Sequence, residues 1–287
     1  MVRVKQESHV LEVRPIDRSI ESEIARQYRE AGRRILFLDY DGTLVPIARR
    51  PEMAVPDQGI LGLLERLAAD PKNTVVIISG RQREFLDQWF GNLRVVLAAE
   101  HGGFLRAVPA GWVNVVEADP AWEQQVLPVL QRYADRCPGA FIEKKSLSLA
   151  WHYRTAEPQI AQLRSQELKE ELGELVSHDG KLHVLEGHKV IEIKHAGYDK
   201  GTVVPRLLDA AAYDFVLALG DDKTDEDLFR VLPADAWTVK IGTAVWDPKR
   251  DSSRLGTLSL AKYRLARQQD VVQLINRLLD GPSAPAP

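Results

Sequence analysis

Five short, mostly apolar runs recur along the chain, and polar residues or glycine follow each of them. An apolar run of this length, bounded by turn residues, is typical of a strand that is buried on both faces. The runs are Ile35–Leu38, Thr74–Ile78, Val95–Ala99, Phe215–Leu219 and Val239–Ile241. The pattern therefore predicts the strands of a parallel sheet whose two faces are covered.

Helical patterns separate several of these strands. Asp57–Ala69 carries apolar residues at helical spacing, and Ile16–Arg33 is a charged segment with scattered apolar positions. Strands that alternate with helices indicate an α/β fold, a doubly wound parallel sheet with right-handed crossovers. Ligands of such sheets bind beyond the carboxyl ends of the strands, which is where the polar residues stand.

The alternation changes between residues 115 and 194. Two helical stretches are each followed by two strand-like runs, and the order α-β-β-α-β-β predicts a small α+β domain. In chain order these segments are Ala121–Arg136, Phe141–Lys145, Ser148–Tyr153, Glu157–Leu172, Leu182–Leu185 and Lys189–Lys194. We therefore expect a core domain of residues 1–114 and 195–287, into which residues 115–194 are inserted as a cap domain.

Composition and charge narrow the class of protein. Of the 287 residues, 45% are hydrophobic and 28% charged, as in ordinary globular proteins. A net charge of −3 lacks the basic excess that is typical of nucleic-acid binding. No apolar stretch approaches the ~20 residues that span a bilayer, and the N-terminus lacks the apolar stretch of a secretory signal. Cys137 is the single cysteine, so an intrachain disulfide is excluded and we expect a cytoplasmic protein without nucleic-acid or membrane partners.

Two carboxylates follow the first strand, in the sequence Asp39-Tyr-Asp41-Gly-Thr. Residues two apart in an extended segment point the same way, roughly 7 Å apart. Like charges in that arrangement repel each other unless a cation or a proton lies between them. A second acidic cluster, Asp221–Asp227, follows the fourth strand, and together the clusters indicate a divalent metal site for phosphate chemistry. The alternative is that Asp39 and Asp41 form a polar turn that caps the next helix.

Phosphoryl transfer requires an in-line nucleophile and cations that neutralise the phosphate oxygens. Asp39 is the candidate nucleophile, which would form an aspartyl-phosphate, and Asp41 is the candidate general acid and base. Mg²⁺ suits a site of oxygen ligands with few carboxylates. Asp221 is the candidate distant ligand, with Asp222 and Asp225 either bound to the metal or holding its waters.

Two further residues complete the candidate catalytic set. Ser79 ends the second strand and can donate a hydrogen bond to a phosphate oxygen, and Lys200 can supply positive charge to the phosphate and to Asp39. Each has a simpler interpretation, because Ser79 could cap a helix and Lys200 could be a solvated surface residue. The acidic cluster Asp221–Asp227 could likewise be a charged first helical turn. The order of these motifs, with most of them at strand ends, favours the catalytic interpretation.

This ordered set resembles the haloacid dehalogenase superfamily of phosphotransferases. The superfamily pattern is D-x-D-G-T, then a Ser or Thr at a strand end, then a Lys, then an acidic pair at a strand end. Asp39–Thr43, Ser79, Lys200 and Asp221 with Asp222 match it. The resemblance implies a haloacid dehalogenase-like core in which Mg²⁺ is bound by the side chain of Asp39, by the backbone carbonyl or carboxylate of Asp41, and by Asp221. Asp222 is a further candidate ligand.

A closer resemblance is to the trehalose-6-phosphate phosphatase family. In the core it rests on Ser79-Gly-Arg81, Glu100-His101-Gly and Gly220-Asp-Asp-Lys-Thr-Asp-Glu. In the inserted segment it rests on Glu143-Lys-Lys145, His152-Tyr-Arg154 and Gly187-His-Lys189-Val-Ile-Glu192. The family carries sugar-binding residues in its cap, which implies that Glu143, Lys145 and Glu192 contact sugar hydroxyls.

The same motifs supply the rest of the candidate substrate site, which comprises Arg81, Glu100, His101, Arg154 and Lys189. An alternative for the charged cap residues is cross-strand ion pairing on an exposed sheet face. For His101 the alternative is a structural hydrogen-bonding role.

The leading hypothesis is therefore a Mg²⁺-dependent phosphatase of trehalose biosynthesis that hydrolyses trehalose 6-phosphate to trehalose and phosphate. The alternative among enzymes is a related sugar phosphatase that acts on sucrose phosphate or mannosylphosphoglycerate. Outside enzymes, the alternative is a non-catalytic regulatory domain, although such domains usually lose a carboxylate or the lysine. The family contains fused synthase–phosphatase chains, so association or fusion with a trehalose-phosphate synthase is a further expectation.

Overall fold

The computed structural model describes residues 11–117, 120–242 and 258–280, which form sheets of nine, four and two strands. The strands are β1 (Leu11–Glu12), β2 (Arg14–Pro15), β3 (Arg34–Asp39), β4 (Asn73–Ile78), β5 (Val96–Ala99), β6 (Phe104–Arg106), β7 (Trp112–Asn114), β8 (Phe141–Lys144), β9 (Ser148–His152), β10 (Leu182–Gly187), β11 (Val190–His195), β12 (Phe215–Gly220), β13 (Trp237–Ile241), β14 (Leu258–Ser259) and β15 (Tyr263–Leu265). The helices are α1 (Arg18–Glu30), α2 (Gln58–Ala69), α3 (Arg83–Phe90), α4 (Glu123–Asp135), α5 (Pro158–Asp179), α6 (Val204–Leu208), α7 (Thr224–Val231) and α8 (Gln269–Asp280). Residues 1–10, 243–257 and 281–287 of the predicted core domain and residues 118–119 of the predicted cap domain lie outside the described residues.

The large sheet has the strand order β2-β15-β13-β12-β3-β4-β5-β6-β7, with β3 at its centre. The first seven strands in this order, β2 to β5, pair in parallel with their neighbours. Strand β6 pairs antiparallel with β5, and β7 pairs antiparallel with β6. All five predicted strands belong to this sheet, so the predicted parallel sheet is confirmed. The sequence does not predict the antiparallel extension, because β6 and β7 are three-residue strands without a sustained apolar run.

Strand β3 is buried on both faces of the sheet. Leu36 and Leu38 pack into a cluster with side chains of α1, α2, α3 and α8, whereas Ile35 and Phe37 pack into a second cluster with α6 and α7. All six residues of β3 are buried, as expected for a strand covered by two layers of helices. The parallel register aligns the carboxyl end of β3, at Asp39, with the carboxyl ends of β4 and β12.

Aspartate side chains begin two of the helices that cover this sheet. Asp17 Oδ1 accepts from the backbone N–H of Ile20 at 2.9 Å, and Asp57 Oδ1 accepts from that of Ile60 at 2.8 Å. Each cap satisfies an amide that has no partner inside its helix and contributes about 1 kcal/mol. The helices predicted in segments 16–33 and 57–69 are thus confirmed as α1 and α2. None of the helices within the described ranges has the length and apolar character needed to cross a membrane.

The four-stranded sheet has the order β10-β11-β9-β8 and is antiparallel throughout. Helices α4 and α5 cover one face, where Trp151 and Cys137 are fully buried in a third apolar cluster. The predicted order α-β-β-α-β-β is confirmed. The other face of this sheet carries polar side chains. The division of the chain into core and cap domains stays a prediction.

Candidate active site

Lys200 joins two aspartates at the carboxyl end of the central strands. Its ammonium donates to Asp39 Oδ1 at 2.7 Å and to Asp225 Oδ1 at 2.8 Å. All three side chains are buried. Burial opposes the charged form of Lys200, but Asp225 and Asp39 outweigh it and raise its pKa. The site therefore holds a permanent cation between two carboxylates.

Two carboxylate oxygens in this site lack a protein partner. Among the described residues, Asp39 Oδ2 and Asp221 Oδ1 are buried without a hydrogen bond. Asp39, Asp221 and Asp225 each offer an oxygen within 4.8 Å of the others. Burial raises the pKa of Asp39 to about 7 against the opposing charge of Lys200, and burial beside Asp39 raises the pKa of Asp221. Three carboxylates with one ammonium leave negative charge unpaired, so this oxygen donor set fits a divalent cation such as Mg²⁺.

Gly42 is required where the chain turns away from β3. Its φ of +84° lies in the left-handed region, and a Cβ at this position would stand 2.0 Å from Asp221 Oδ2. Any side chain here would displace Asp221 from the acidic cluster. The glycine of the D-x-D-G-T motif thus permits the close approach of two strand ends.

Asp41 and Arg81 form a bidentate ion pair. Arg81 Nε and Nη2 each donate to one carboxylate oxygen of Asp41 at 2.7 Å, and Nη1 donates to Pro51 O at 2.7 Å. The guanidinium also lies 5.0 Å from the ring centroid of Trp89. Planar guanidinium groups bind carboxylates in this two-point manner, so the pair fixes the orientation of Asp41.

The chain after β5 forms a left-handed turn at Glu100 and His101, with φ of 46° and 57°. Residues other than glycine adopt this conformation at a cost of roughly 1–3 kcal/mol. Backbone bonds hold the turn against the end of β4, from Glu100 N to Arg81 O and from His101 N to Ser79 O, both at 2.9 Å. Ser79 Oγ accepts from the N–H of Arg81 at 3.2 Å, which leaves its hydroxyl hydrogen free to donate. A Cβ on Gly80 would come within 2.6 Å of the His101 ring.

The carboxylates of the candidate metal ligands do not all belong to one cluster. The acidic cluster found among the described residues comprises Asp39, Asp221 and Asp225, and the carboxylates of Asp41 and Asp222 are not members of it. Asp222 contacts the cluster through its backbone N–H, which donates to Asp225 Oδ2 at 2.9 Å. Asp225, which the sequence leaves as an alternative to Asp222, is therefore the third carboxylate of this cluster.

Side chains of the small sheet reach the core through Glu192. Its Oε1 accepts from Lys145 Nζ at 3.1 Å and from Ser148 Oγ at 2.5 Å, and its Oε2 lies 3.3 Å from His101 Nε2. Lys145 Nζ also donates to Gly80 O at 2.9 Å. The structure thus joins three predicted substrate residues, Lys145, Glu192 and His101, in one buried network.

Burial and neighbouring charges together set the protonation states of Glu192 and His101 in this network. Burial alone would raise the pKa of Glu192, but Lys145 and then His101 hold it well below its usual value. Burial lowers the pKa of His101, which keeps the imidazole neutral. The network therefore contains one ionised carboxylate, Glu192, and one ammonium, Lys145. The attraction between these two charges offsets the free energy that each loses when it leaves water.

Glu143 lies on the same sheet but has a different partner. Its Oε2 stands 2.8 Å from His152 Nε2, and the His152 ring stacks on Phe141 with centroids 4.7 Å apart. Burial would raise the pKa of Glu143, but the hydrogen bond from His152 and the charge of Lys145 lower it. Glu143 is thus an oriented carboxylate on the polar face of the sheet.

Arg154 and Lys189 lie at or beside the tip of the β10–β11 hairpin. Arg154 Nη2 donates to His188 O, and Lys189 adopts a φ of 65° in the turn. A Cβ on Gly187, at the same tip, would lie 3.5 Å from Asp222 Oδ2. The hairpin tip therefore stands next to the acidic loop that follows β12.

Several contacts between the two sheets have no signal in the sequence. Gln82 Nε2 donates to Lys144 O at 2.9 Å. The carboxylate of Glu100, a predicted substrate residue, accepts from the backbone N–H groups of Leu147 at 2.8 Å and Ser146 at 3.3 Å. Burial raises the pKa of Glu100. The motif predicts that Glu100 belongs to the substrate site, but only the structure shows that its carboxylate binds the loop between β8 and β9.

A family model described as trehalose-phosphatase matches residues 37–265, a span that contains the acidic cluster, Lys200 and the small sheet. The chain belongs to the trehalose-phosphatase family. The resemblance drawn from the sequence motifs is thus confirmed.

Two curated relatives illustrate the range of the family. The bifunctional trehalose-6-phosphate synthase/phosphatase of Thermoproteus tenax is 43% identical over 251 residues, which cover 88% of this chain and 32% of the relative. The trehalose-phosphatase of Saccharomyces cerevisiae is 38% identical over 232 residues, which cover 73% of this chain and 26% of the relative. The chain thus spans about a third of the length of the T. tenax relative and about a quarter of the length of the S. cerevisiae relative.

A solved member of the family has the same fold. The C-terminal domain of C. albicans trehalose-6-phosphate phosphatase superposes with a TM-score of 0.83 at 29% identity, covering 95% of this chain and 99% of that one. The predicted fold class, a haloacid dehalogenase-like α/β core with an additional small α+β unit, is confirmed.

Proposed function

We propose that this chain hydrolyses trehalose 6-phosphate to trehalose and phosphate, with Mg²⁺ and through an aspartyl-phosphate on Asp39. The observation that carries the proposal is the buried ammonium of Lys200 between Asp39 and Asp225, beside the unpaired oxygens of Asp39 and Asp221 in the described part of the chain. Relatives whose names specify trehalose-phosphatase support the choice of substrate.

Asp39 is the proposed nucleophile. Lys200 binds one of its oxygens at 2.7 Å, so the carboxylate is oriented before a phosphate arrives. The same ammonium attracts the phosphate dianion and stabilises the carboxylate form that attacks phosphorus. A Mg²⁺ ion held by Asp39 and Asp221, with Asp225, Asp41 and Asp222 as further candidates, would neutralise charge on the phosphate oxygens.

Asp41 is the proposed general acid and base. Both of its oxygens accept from Arg81, so this role requires the release of one oxygen when the substrate binds. Asp41 would then protonate the leaving sugar oxygen and later deprotonate the water that hydrolyses the aspartyl-phosphate. Ser79 would donate its free hydroxyl hydrogen to a phosphate oxygen.

Substrate selection is assigned to the small sheet and the turns that face it. The proposed ligands of the sugar hydroxyls are Glu143, Lys145 and Glu192. The buried ion pair of Lys145 with Glu192 supports this role, because hydrogen bonds between a charged group and a hydroxyl are stronger than those between neutral groups. Arg154 and Lys189 would contribute positive charge near the acidic loop. The remaining proposed substrate residues are Arg81, Glu100 and His101. The proposal includes a core of residues 1–114 and 195–287 and a cap of residues 115–194.

The competing functions share the core chemistry. A phosphatase for sucrose phosphate or mannosylphosphoglycerate would use the same aspartates with different contacts from the small sheet. A non-catalytic regulatory domain is disfavoured by the intact set of Asp39, Asp41, Lys200 and Asp221. The T. tenax relative is named a bifunctional synthase/phosphatase, which supports association or fusion of this chain with a trehalose-phosphate synthase.

The test is phosphate release from a panel of substrates, namely trehalose 6-phosphate, sucrose 6-phosphate, mannosylphosphoglycerate and p-nitrophenyl phosphate. We expect the highest kcat/KM with trehalose 6-phosphate, loss of activity in EDTA and recovery with Mg²⁺. Asp39→Asn serves as the matched inactive protein. A higher kcat/KM for another sugar phosphate would mean that trehalose 6-phosphate is not the preferred substrate. Folded protein without activity on any substrate of the panel would support the regulatory alternative.

A further inference from the structure

Lys240 is a buried lysine at the end of β13, outside every motif named above. It lies beside Gly220 in the parallel register of β12 and β13, and both it and Glu226 are buried. Its ammonium donates to the backbone oxygen of Asp222 at 2.7 Å and stands 3.3 Å from Glu226 Oε1. A buried ammonium destabilises the fold unless it is paired, and Lys240 finds its partners in the loop after β12 and in α7.

Both backbone polar groups of Asp222, its N–H and its C=O, are hydrogen-bonded to side chains. Its N–H donates to Asp225 Oδ2 at 2.9 Å, and its C=O accepts from Lys240. Asp221 precedes this clamped residue directly and carries an unpaired oxygen among the described side chains. A displacement of the Asp222 peptide would therefore move Asp221 and loosen Asp225 together.

Glu226 secures Lys240 from the other side. Its Oε1 accepts from Ser259 Oγ and its Oε2 from the backbone N–H of Leu260, both at 2.7 Å. Glu226 is thereby held by the last residue of β14 and the residue that follows it, while it holds Lys240. Lys240 and Glu226 thus support the loop that follows β12, although neither belongs to the carboxylate cluster of Asp39, Asp221 and Asp225.

We propose that Lys240 is a positioning residue that fixes the Asp222 peptide and so holds Asp221 and Asp225 in the geometry that binds Mg²⁺. The inference rests on the proposed function for the identity of the cation. It requires no contact between Lys240 and the substrate. Groups that orient metal ligands in this way typically change metal affinity by about 10–100-fold when they are removed.

The experiment measures Mg²⁺ affinity of the full chain without substrate, from the rise of the unfolding temperature with Mg²⁺ concentration. Lys240→Met is expected to bind Mg²⁺ about tenfold or more weakly and to regain phosphatase activity as Mg²⁺ is raised. Arg34→Met is the matched control, because Arg34 is a buried cation at the opposite end of β3, paired with Asp70 at 3.1 Å. It should lower the unfolding temperature without changing Mg²⁺ affinity.

A double variant separates positioning from simple charge balance. If Lys240 only neutralises Glu226, then Lys240→Met with Glu226→Gln should restore wild-type Mg²⁺ affinity, and that result overturns the proposal. If Lys240 positions the Asp222 peptide, the double variant stays as weak as Lys240→Met. Should Lys240→Met fail to fold, Lys240→Arg keeps the charge but moves the donor atoms, and unchanged affinity in it overturns the proposal. Wild-type protein that shows no Mg²⁺ stabilisation would instead refute the metal dependence of the proposed function.

Discussion

Arg81 holds both carboxylate oxygens of Asp41 at 2.7 Å, in a two-point ion pair next to the carboxyl end of β3. The pair ties the proposed acid/base to the strand-end turn that carries Ser79. Since Arg81 is also bound to Pro51 O, its position does not depend on Asp41 alone. Arg81 therefore sets where the Asp41 carboxylate lies before the substrate binds.

Arg81→Lys should lower kcat/KM for trehalose 6-phosphate by about tenfold to a hundredfold, because an ammonium cannot bind two oxygens in a planar fork. The measurement is steady-state phosphate release, with unfolding temperatures recorded to compare stability. Arg83→Lys is the control, because Arg83 lies two residues after Arg81, is only half-buried and pairs with its neighbour Glu84 and not with Asp41. Equal activity in Arg81→Lys and the wild type would mean that the ion pair has no part in catalysis.

Asp39→Asn should abolish turnover and yet stabilise the metal-free protein. The amide lacks the nucleophilic charge, and the substitution also removes one of the three clustered carboxylates that lie beside the single ammonium of Lys200. In EDTA at pH 8, we expect a gain of about 1–3 kcal/mol in the free energy of unfolding. Chemical denaturation of both proteins gives this difference.

The pH dependence of that gain follows from the pKa of Asp39, which burial raises to about 7. An unfolded aspartate ionises near pH 4, at about 3.9. The folded protein binds the extra proton between these two pH values, so the ionised carboxylate costs stability that grows from pH 4 to pH 7. The gain from Asp39→Asn should therefore be larger at pH 8 than at pH 5. A gain that is equal at both pH values, or a loss at pH 8, would contradict a raised pKa.

The central fold is predictable from the sequence because its strands are apolar throughout. Ile35–Leu38 reads as a doubly buried strand, and its residues do pack on both faces of the sheet. The motif order also identifies Asp39, Lys200 and Asp221, which the structure brings to one edge. The sequence names both Asp222 and Asp225 as candidates, but residue spacing cannot show that the carboxylate of Asp225 joins the cluster and that of Asp222 does not.

Contacts between the two sheets are the least predictable part of the candidate site. Glu100 and Leu147 are distant in sequence, and their bond depends on the left-handed turn at Glu100, which a non-glycine residue rarely adopts. Lys240 gives no signal either, because a lysine in an apolar strand end suggests an exposed position. Such features follow from tertiary packing and not from local patterns.

Glu100→Gln should weaken the attachment of the loop between β8 and β9. The neutral amide keeps one acceptor oxygen but replaces the other with a donor that faces the backbone N–H groups of Ser146 and Leu147. We expect KM for trehalose 6-phosphate to rise about tenfold while kcat changes less, because Lys145 adjoins this loop. Kinetics on p-nitrophenyl phosphate serve as the control for the catalytic core. Equal losses on both substrates would assign Glu100 to the core chemistry.

Single alanine variants of Glu143, Lys145 and Glu192 should separate substrate selection from catalysis. Each charged hydrogen bond contributes about 1.5–3 kcal/mol, so each variant should lose roughly tenfold to a hundredfold in kcat/KM for trehalose 6-phosphate. p-Nitrophenyl phosphate offers no sugar hydroxyls, and its slow hydrolysis should change little. Lys144→Ala is the matched control, since Lys144 lies between two of these residues but pairs with Glu123.

The contacts of these three residues predict an order among the effects. Glu192 binds Lys145, Ser148 and His101, whereas Glu143 binds only His152 among the described side-chain hydrogen bonds. Glu192→Ala leaves the Lys145 ammonium without its buried counter-ion, so it should also lower the unfolding temperature. Glu143→Ala should affect selectivity with a smaller loss of stability. If all three variants matched Lys144→Ala on both substrates, these residues would be structural charges and the sugar would be selected elsewhere.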